Sequence, residues 1–358
     1  MWVIILLRRF AFVLCFLFII PFTCYGAENS ASSAIVIDAD TKTILYEKNA
    51  YECRSMASTT KIMTALLAIE SNMLDNNVVI TAEMLDTEGS SLGLNVDDNI
   101  TLNDLVIGMM LTSGNDSANA VAYFLGKDLN GFAEMMNAKA KEIGMKSTVF
   151  VTPSGLDEGE HHSTAYDMAV LGAYAIKNEN FSNISAMKSA DITISNKKIT
   201  VYNHNKLLSM DENYIGIKTG YTSKAGRCLV SAKKCNGNNL VCVTMNAPDD
   251  WNDHIRLMNE CGKKYKKRTV KEELKIPVVG SDAYAVNCRY KGEYYTLNEL
   301  TVKLYHHPFV YAPVKKGDTV GIACVYKNDK LIERLPVKAD EDLSYAEQER
   351  NQTSEIYG

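Results

Sequence analysis

The stretch Ser58-Thr59-Thr60-Lys61-Ile62-Met63-Thr64-Ala65-Leu66-Leu67-Ala68-Ile69 is the part of the sequence from which the fold can be worked out. It contains no glycine or proline, and a residue type that caps helices precedes an apolar run, so we expect a buried helix that begins at Ser58. Ser58 and Lys61 are three positions apart and share one face of that helix. Burial lowers the pKa of a lysine, and an uncharged lysine can accept the proton of a serine hydroxyl.

The Ser-x-x-Lys pattern does not identify any chemistry by itself. It also occurs elsewhere in the chain, for example at 185–188 and at 195–198. A capping serine and a solvated helix lysine would also explain Ser58 and Lys61. The interpretation therefore depends on segments further along the chain.

Two later segments carry groups that suit a catalytic cleft. Ser113-Gly114-Asn115 lies where a break between two helices is expected, and loops present hydroxyl and amide groups to clefts. Lys218-Thr219-Gly220 ends an expected strand and offers a cation, a hydroxyl and a glycine that lets a substrate approach the strand edge. With Ser58 and Lys61, these segments predict a nucleophile, a base and binding groups at one site.

Composition and the N-terminus restrict the class of protein. The 358 residues are 46% hydrophobic and 23% charged, which suits one large or two medium globular domains, and a net charge of −5 does not suit a nucleic-acid partner. Arg8 and Arg9 precede an apolar stretch over 10–21, and Cys24 and Gly26 are small residues that fit a cleavage site. We therefore interpret residues 1–26 as the signal peptide of an exported protein.

The sequence predicts no metal site and no cofactor. Seven of the nine cysteines follow residue 26, and none belongs to a Cys-x-x-Cys pair of the kind that binds structural zinc. His161 and His162 are adjacent and have no third ligand at helical spacing. An odd number of cysteines in an exported chain leaves at least one thiol without an intramolecular disulfide.

Hydrophobic patterns divide the rest of the chain into two folded parts. Strands are expected at 34–38 and 44–46, helices at 58–69, 101–110, 117–125, 131–143 and 165–175, an antiparallel sheet from segments at 191–194, 199–202, 215–219, 228–232 and 240–245, and a closing helix at 253–265. The charged stretch 263–275 is interpreted as a helix end and a linker, and 278–337 as a small all-β domain. Gly89-Ser90-Ser91-Leu92-Gly93 fits the α/β-hydrolase elbow, but no strand-like segment precedes it, so a loop is expected.

In order and context, these motifs resemble those of the penicillin-recognising serine enzymes, and in particular the D-alanyl-D-alanine carboxypeptidases among the low-molecular-mass penicillin-binding proteins. The resemblance covers about Ala34 to Val337. The further motifs that carry it are Ser113–Asp116, Met136-Asn137, Ser154–Asp157, His161–Met168, Asn205–Leu208, Gly216–Thr222 and Ala312–Asp318. It implies an α/β (α+β) fold, with a β-lactamase/transpeptidase-like domain whose antiparallel sheet is flanked by helices, and a small all-β C-terminal domain. We accordingly expect the penicillin-binding serine peptidase domain at 27–268, the β-rich domain at 269–338 and a polar acidic tail at 339–358.

The resemblance also implies a reaction and the residues that perform it. Ser58 would be the nucleophile, Lys61 the base and Ser113 the relay that passes the proton to the leaving group. The residues expected to bind substrate are Asn115, Lys218, Thr219, Gly220 and Tyr221, with Lys218 and Thr219 on its terminal carboxylate and the backbone N–H groups of Ser58 and Tyr221 forming an oxyanion hole. The expected reaction removes the terminal D-alanine from a peptidoglycan stem pentapeptide, with β-lactams as covalent inhibitors. It would take place at the outer face of the cytoplasmic membrane, in the cell wall or in the medium.

Departures from the family pattern leave other interpretations open. Ser154 stands where the family often has histidine, and the tail from Asp340 has no apolar face for membrane attachment. A β-lactamase would need a deacylating glutamate, and Glu158 and Glu160 lack its usual sequence context. An endopeptidase would use the same residues, whereas a catalytically silent wall-binding protein would not need Ser58.

Overall fold

The computed structural model describes residues 29–346. The predicted signal peptide and the end of the predicted tail, from residue 347 onward, lie outside these residues. The described chain divides into two compact units, one containing the residues up to Lys234 together with Asn239–Cys261, and the other containing Cys235–Asn238 and the residues from Gly262 onward.

The first unit contains helices and strands in alternation. Its strands are β1 (Ser33–Asp38), β2 (Ile44–Lys48), β3 (Asn77–Val79), β4 (Asn99–Thr101), β5 (Ser189–Ile194), β6 (Lys197–Tyr202), β7 (Tyr214–Thr222), β8 (Gly226–Cys235) and β9 (Asn238–Met245). Its helices are α1 (Lys61–Glu70), α2 (Leu102–Thr112), α3 (Asn115–Gly126), α4 (Leu129–Ile143), α5 (Ala165–Ala175), α6 (Glu179–Ala186), α7 (Leu207–Met210) and α8 (Asp250–Gly262), with 3₁₀ turns at Ala57–Thr60 and Glu83–Leu85.

A five-stranded sheet in the order β2-β1-β9-β8-β7 is the framework of this unit. The prediction of a single antiparallel sheet from the later segments is therefore only partly right, because β5 and β6 form a separate two-stranded sheet and β1 and β2 complete the main one. Strand β7 lies at the edge of the main sheet. Among residues 29–346, no strand lies on the outer side of β7, as a site for an extended substrate requires.

Helix α1 is buried along almost its whole length, as the sequence predicts. All of its residues except the last are buried, and they belong to a core that includes apolar side chains of β1, α2 and α5. Helix α2 begins where predicted, since the Thr101 side chain accepts a hydrogen bond of 3.0 Å from the Asp104 N–H. In the described part of the chain, no helix has the length and apolar character needed to span a membrane.

The second unit is all-β, as expected. Its strands are β10 (Lys266–Val279), β11 (Ala285–Thr296), β12 (Leu300–His306), β13 (Val310–Tyr311), β14 (Thr319–Lys327) and β15 (Lys330–Ala339), which form one sheet in the order β12-β14-β15-β11-β10-β13. Ile276, Val286, Val325 and Val337 lie at the centre of its core.

The interpretation of 263–275 as a helix end and linker is wrong. Most of this stretch belongs to β10, so the expected domain boundary after residue 268 falls inside a strand. Strand β10 pairs with β11 over almost its whole length, from Lys266 opposite Thr296 to Pro277 opposite Ala285, and its last two residues pair with β13. Side chains on both faces of its first half are largely exposed, so the sequence shows no apolar alternation there.

Candidate active site

Ser58 lies in the 3₁₀ turn that leads directly into α1. It lines a cleft of about 580 Å³ in the first unit, together with Ser113, Thr219, Gly220 and Tyr221. The helix cap considered for Ser58 is wrong, because neither the turn nor α1 has a side-chain cap. The Ser58 hydroxyl is thus available to other partners.

Lys61 contacts three oxygen atoms although its side chain is completely buried. Its Nζ lies 3.0 Å from Ser58 Oγ, 2.7 Å from Asn115 Oδ1 and 2.7 Å from the Ser154 carbonyl oxygen. Burial holds the pKa of Lys61 well below its usual value, and the nearby charge of Lys218 lowers it further. An uncharged amine has two N–H groups and one lone pair. Two oxygens that can only accept hydrogen bonds therefore occupy both N–H groups and leave the lone pair for the Ser58 hydroxyl.

The segment from Ser113 to Asp116 forms the second wall of the cleft. Ser113 ends α2 in the left-handed conformation (φ 66°), and Asn115 begins α3. The Asn115 amide donates a 2.6 Å hydrogen bond to the Glu88 carbonyl, which leaves its oxygen for Lys61. The Asp116 carboxylate accepts hydrogen bonds from Ser91 Oγ and from the backbone N–H groups of Leu92 and Gly93. The 89–93 segment is a loop, as predicted, and these contacts fix it beside the cleft.

Strand β7 provides the third wall. A Cβ added to Gly220 would lie 2.9 Å from the Ser58 backbone nitrogen, so only glycine allows this approach. Lys218 is 1% exposed, its Nζ donates a 3.2 Å hydrogen bond to the Thr219 carbonyl, and burial lowers its pKa to about 7. Tyr221 is 67% exposed. The three predicted segments therefore meet at one cleft, although Lys218 lies beneath its surface.

A second group of residues in the same cleft was not predicted from the sequence. Arg227 lies on β8 directly opposite Tyr221, and its guanidinium is 2.7 Å from Asp250 Oδ1 and 5.7 Å from the ring centroid of Trp251. The Arg227 side chain is 41% exposed, whereas that of Asp250 is buried. The signal that could have revealed Arg227 is the short turn after β7, which brings the following strand back beside β7 and so places Arg227 opposite Tyr221. The other missed lining residues are Ser90, His204, Lys206 and Pro248.

The loop before α5 contacts Thr60 and Lys61, the residues that follow Ser58 along the chain. Lys61 donates a hydrogen bond to the main-chain carbonyl of Ser154. This contact does not involve the side chain, so serine in place of the family's usual histidine leaves it unchanged. The His161 Nδ1 accepts a 2.9 Å hydrogen bond from the Val151 N–H, which assigns the proton to Nε2, 2.9 Å from Thr60 Oγ1. Burial lowers the pKa of His161 to about 4, so the ring is neutral at neutral pH. Within residues 29–346 there is no cluster of three or more metal-ligating side chains.

This arrangement is suited to acyl transfer. A serine hydroxyl is next to an amine whose charged form is disfavoured by burial, and a second hydroxyl lines the same cleft. Two backbone N–H groups, those of Ser58 and Tyr221, belong to segments that approach each other at Gly220. Such a set provides a nucleophile, a base and donors for a developing oxyanion.

Comparison with known proteins agrees with this chemistry. Residues 21–249, more than half of the chain, match the family Peptidase_S11, D-alanyl-D-alanine carboxypeptidase. The chain is 30% identical over 344 residues to the D-alanyl-D-alanine carboxypeptidase DacF of Bacillus subtilis, an alignment that covers 89% of this chain and 87% of that protein.

Solved structures of similar proteins have the same fold. A D-alanyl-D-alanine carboxypeptidase from Mycobacterium tuberculosis superimposes with a TM-score of 0.63 at 33% identity, covering 66% of this chain and 92% of that one. Penicillin binding protein 5 from Haemophilus influenzae does so with a TM-score of 0.62 at 26% identity, covering 88% of this chain and 98% of that one. The chain therefore belongs to the D-alanyl-D-alanine carboxypeptidases, a family of serine peptidases related to the penicillin-binding proteins.

Proposed function

We propose that this protein removes the terminal D-alanine from peptidoglycan stem pentapeptides through an acyl-enzyme on Ser58. The observation that carries the proposal is the Lys61 amine, which is completely buried, 3.0 Å from Ser58 Oγ, and held by two carbonyl-type oxygens that leave its lone pair for the serine. The family indicates the reaction, and this geometry supports our assignment of the residues that perform it.

The reaction begins with attack of Ser58 Oγ on the carbonyl carbon of the penultimate D-alanine. The hydroxyl proton moves to Lys61 Nζ as the C–O bond forms, and the charge that develops on the carbonyl oxygen is stabilised by the N–H groups of Ser58 and Tyr221. Breaking of the C–N bond releases the terminal D-alanine, whose nitrogen takes a proton from Lys61 by way of Ser113. Water then attacks the ester and gives its proton to Lys61. Lys61 passes that proton to Ser58 Oγ as the C–O bond to the serine breaks, so the shortened peptide leaves with a new carboxyl group and Ser58 is restored.

Lys218 acts on the reaction through its charge. It is buried beside Lys61 and lowers the Lys61 pKa, which favours the uncharged amine that accepts the serine proton. Because only 1% of Lys218 is exposed, it is poorly suited to hold the substrate carboxylate directly. We therefore assign it the electrostatic role and look for the carboxylate site elsewhere in the cleft.

The carboxylate site is assigned to Thr219 and Arg227. The register pairs Thr219 with Leu229 and Tyr221 with Arg227, so Thr219 and Arg227 are diagonal neighbours whose side chains share one face of the β7–β8 hairpin. Arginine is always charged and binds carboxylates through two parallel hydrogen bonds. Asp250 occupies one terminal nitrogen of the guanidinium, while 41% of the Arg227 side chain faces solvent. A free C-terminus would thus be preferred over an internal peptide bond.

The place of action and the inhibitors follow from the same reaction. Peptidoglycan lies outside the cytoplasmic membrane, so the enzyme would be exported to that face of the membrane, to the wall or to the medium. A β-lactam presents an acyl-D-alanine-like amide, so it would acylate Ser58 and be released slowly. Residues such as Glu158 and Glu160 are exposed on their loop and do not line the cleft, which favours the carboxypeptidase over a β-lactamase.

The test uses Ser58→Ala and, as a matched control, Ser195→Ala, which alters another Ser-x-x-Lys pattern in an exposed β5–β6 turn. We expect Ser58→Ala to lose both covalent labelling by a fluorescent penicillin and D-alanine release from a pentapeptide. The control should retain both activities. Labelling of Ser58→Ala at another residue, located by mass spectrometry, would refute the assignment of the nucleophile. Products from cross-linked muropeptides would reveal an endopeptidase.

A further inference from the structure

One loop contacts both chain segments that carry the proposed oxyanion-hole donors. At its base, the Ser154 carbonyl accepts the hydrogen bond from Lys61, and Gly155 lies so close to the Ala57 carbonyl that an added Cβ would be 1.9 Å from its oxygen. The Ala57 carbonyl and the Ser58 N–H belong to the same peptide unit. The base of the loop therefore packs against the peptide unit that carries the first donor.

Two residues further along, the loop reaches the end of β7. Asp157 Oδ2 accepts a 2.6 Å hydrogen bond from Thr222 Oγ1, and the same Thr222 oxygen accepts a 3.0 Å hydrogen bond from the Ala225 N–H. Thr222 is the last residue of β7 and follows Tyr221, the second proposed donor. Because β7 is an edge strand, a neighbouring strand restrains it on one side only. The Asp157 contact supplies a restraint that the sheet does not.

We propose that Asp157 is a positioning residue that sets the distance between the two oxyanion-hole donors. Anchored at Gly155 against the Ser58 peptide, the loop uses the Asp157 carboxylate to hold Thr222, and with it the N–H of Tyr221. The proposal rests on the proposed function, since it requires the N–H groups of Ser58 and Tyr221 to share the oxyanion. Donors must lie about 2.7–3.1 Å from the oxyanion, and a misplacement of about 1 Å can cost roughly 10²-fold in rate.

Such a role predicts a particular kinetic signature. The oxyanion forms in the transition state, so loss of the restraint lowers kcat and leaves KM nearly unchanged. Inhibition by a peptide boronic acid, whose tetrahedral adduct places an oxygen in the same hole, should weaken in parallel with kcat/KM. A residue that only stabilises the fold would lower the thermal midpoint and leave kcat, KM and the boronic acid Ki of the folded enzyme unchanged.

The experiment compares Asp157→Ala, Asp157→Asn and the neighbouring surface variant Glu158→Ala in the full chain. We measure kcat and KM for D-alanine release, the boronic acid Ki and the acylation rate with fluorescent penicillin. Asp157→Ala should lose about tenfold in kcat and in boronic acid affinity, with KM within about twofold. Asp157→Asn keeps an acceptor oxygen and should remain within about threefold of the unaltered protein, and Glu158→Ala should not differ from it.

Thr222 supplies an independent test of the same contact. Thr222→Ser keeps the hydroxyl and should behave like the unaltered protein, Thr222→Val should lose activity, and Asp157→Ala with Thr222→Val should be no slower than the slower single variant. Unchanged kcat in Asp157→Ala, an effect on KM alone, or multiplicative losses in the double variant would overturn the proposal. If Asp157→Ala does not fold, Asp157→Asn and the two Thr222 variants decide. Absence of Ser58 acylation in the unaltered protein would instead refute the proposed function.

Discussion

Replacing Gly155 with alanine should inactivate the enzyme by displacing the peptide unit that joins Ala57 to the nucleophile, Ser58. Gly155 has φ +88°, and a Cβ built there lies 1.9 Å from the Ala57 oxygen, whereas real Cβ atoms do not approach closer than 3.0 Å. Either the loop or the Ala57 carbonyl must therefore move by at least 1.1 Å, the difference between these distances. Moving that carbonyl turns the Ser58 N–H of the same peptide unit away from the oxyanion position.

The expected size of the effect follows from these distances. A displacement of about 1 Å at reacting groups costs roughly 10²-fold, and loss of one oxyanion donor costs about 10²–10³-fold. The left-handed conformation adds about 1–2 kcal/mol of strain for alanine, and overpacking adds about 1–3 kcal/mol. We therefore expect acylation by fluorescent penicillin to fall at least about 10²-fold and the free energy of unfolding to fall by about 2–5 kcal/mol.

The same loop offers a matched control. Gly159 also has a positive φ, +48°, but a Cβ built there meets nothing within 4 Å. Gly159→Ala should lose only the strain energy, about 1–2 kcal/mol, and acylate at the normal rate. Acylation time courses measured at a temperature where both variants are folded, with urea unfolding in parallel, separate the two effects. If Gly155→Ala acylates within about threefold of Gly159→Ala, the argument from the Ala57 peptide is wrong.

Three further predictions concern charge. Lys218→Met should raise the Lys61 pKa, because the nearby cation that opposes protonation of Lys61 is removed. The acid limb of the acylation–pH profile should then move to higher pH. An acid limb at the same pH in both proteins would contradict the role of Lys218. Arg227→Gln should raise KM for a pentapeptide about tenfold with kcat little changed, and an unchanged KM would remove Arg227 from the carboxylate site. The His161 pKa is about 4 in the folded protein, and the ordinary value of 6.5 applies to the unfolded chain. Between these pH values the unfolded chain therefore binds more protons than the folded protein. The stability contributed by the neutral ring is lost as pH falls from 6.5 to 4. His161→Gln should therefore show a shallower loss of unfolding free energy over that window, by about 3 kcal/mol, in urea titrations at each pH.

The nucleophile and base were predictable because a single helical turn brings them together. Ser58 and Lys61 are three residues apart, and the apolar run behind them requires burial, so their proximity and the low pKa of the lysine follow from local structure. The helix cap at Thr101 and the all-β second unit were likewise predictable from local sequence patterns. Ser113 and Lys218 are remote in the chain, so no local pattern brings them to this site; their place there was predicted from the groups that their segments carry and from resemblance to a family.

The rest of the site depends on contacts that local patterns do not encode. Every residue has a main-chain carbonyl, so nothing in the sequence distinguishes that of Ser154 as a partner of Lys61. Arg227 reaches the cleft only through the register of β7 and β8, and strand β10 was missed because its pairing with β11, not apolar burial, stabilises its charged half. Sequence thus determined what lies within one helical turn or one alternating strand. Tertiary structure decided which backbone groups and distant charges surround it, because those depend on how edges of the sheet and loops pack together.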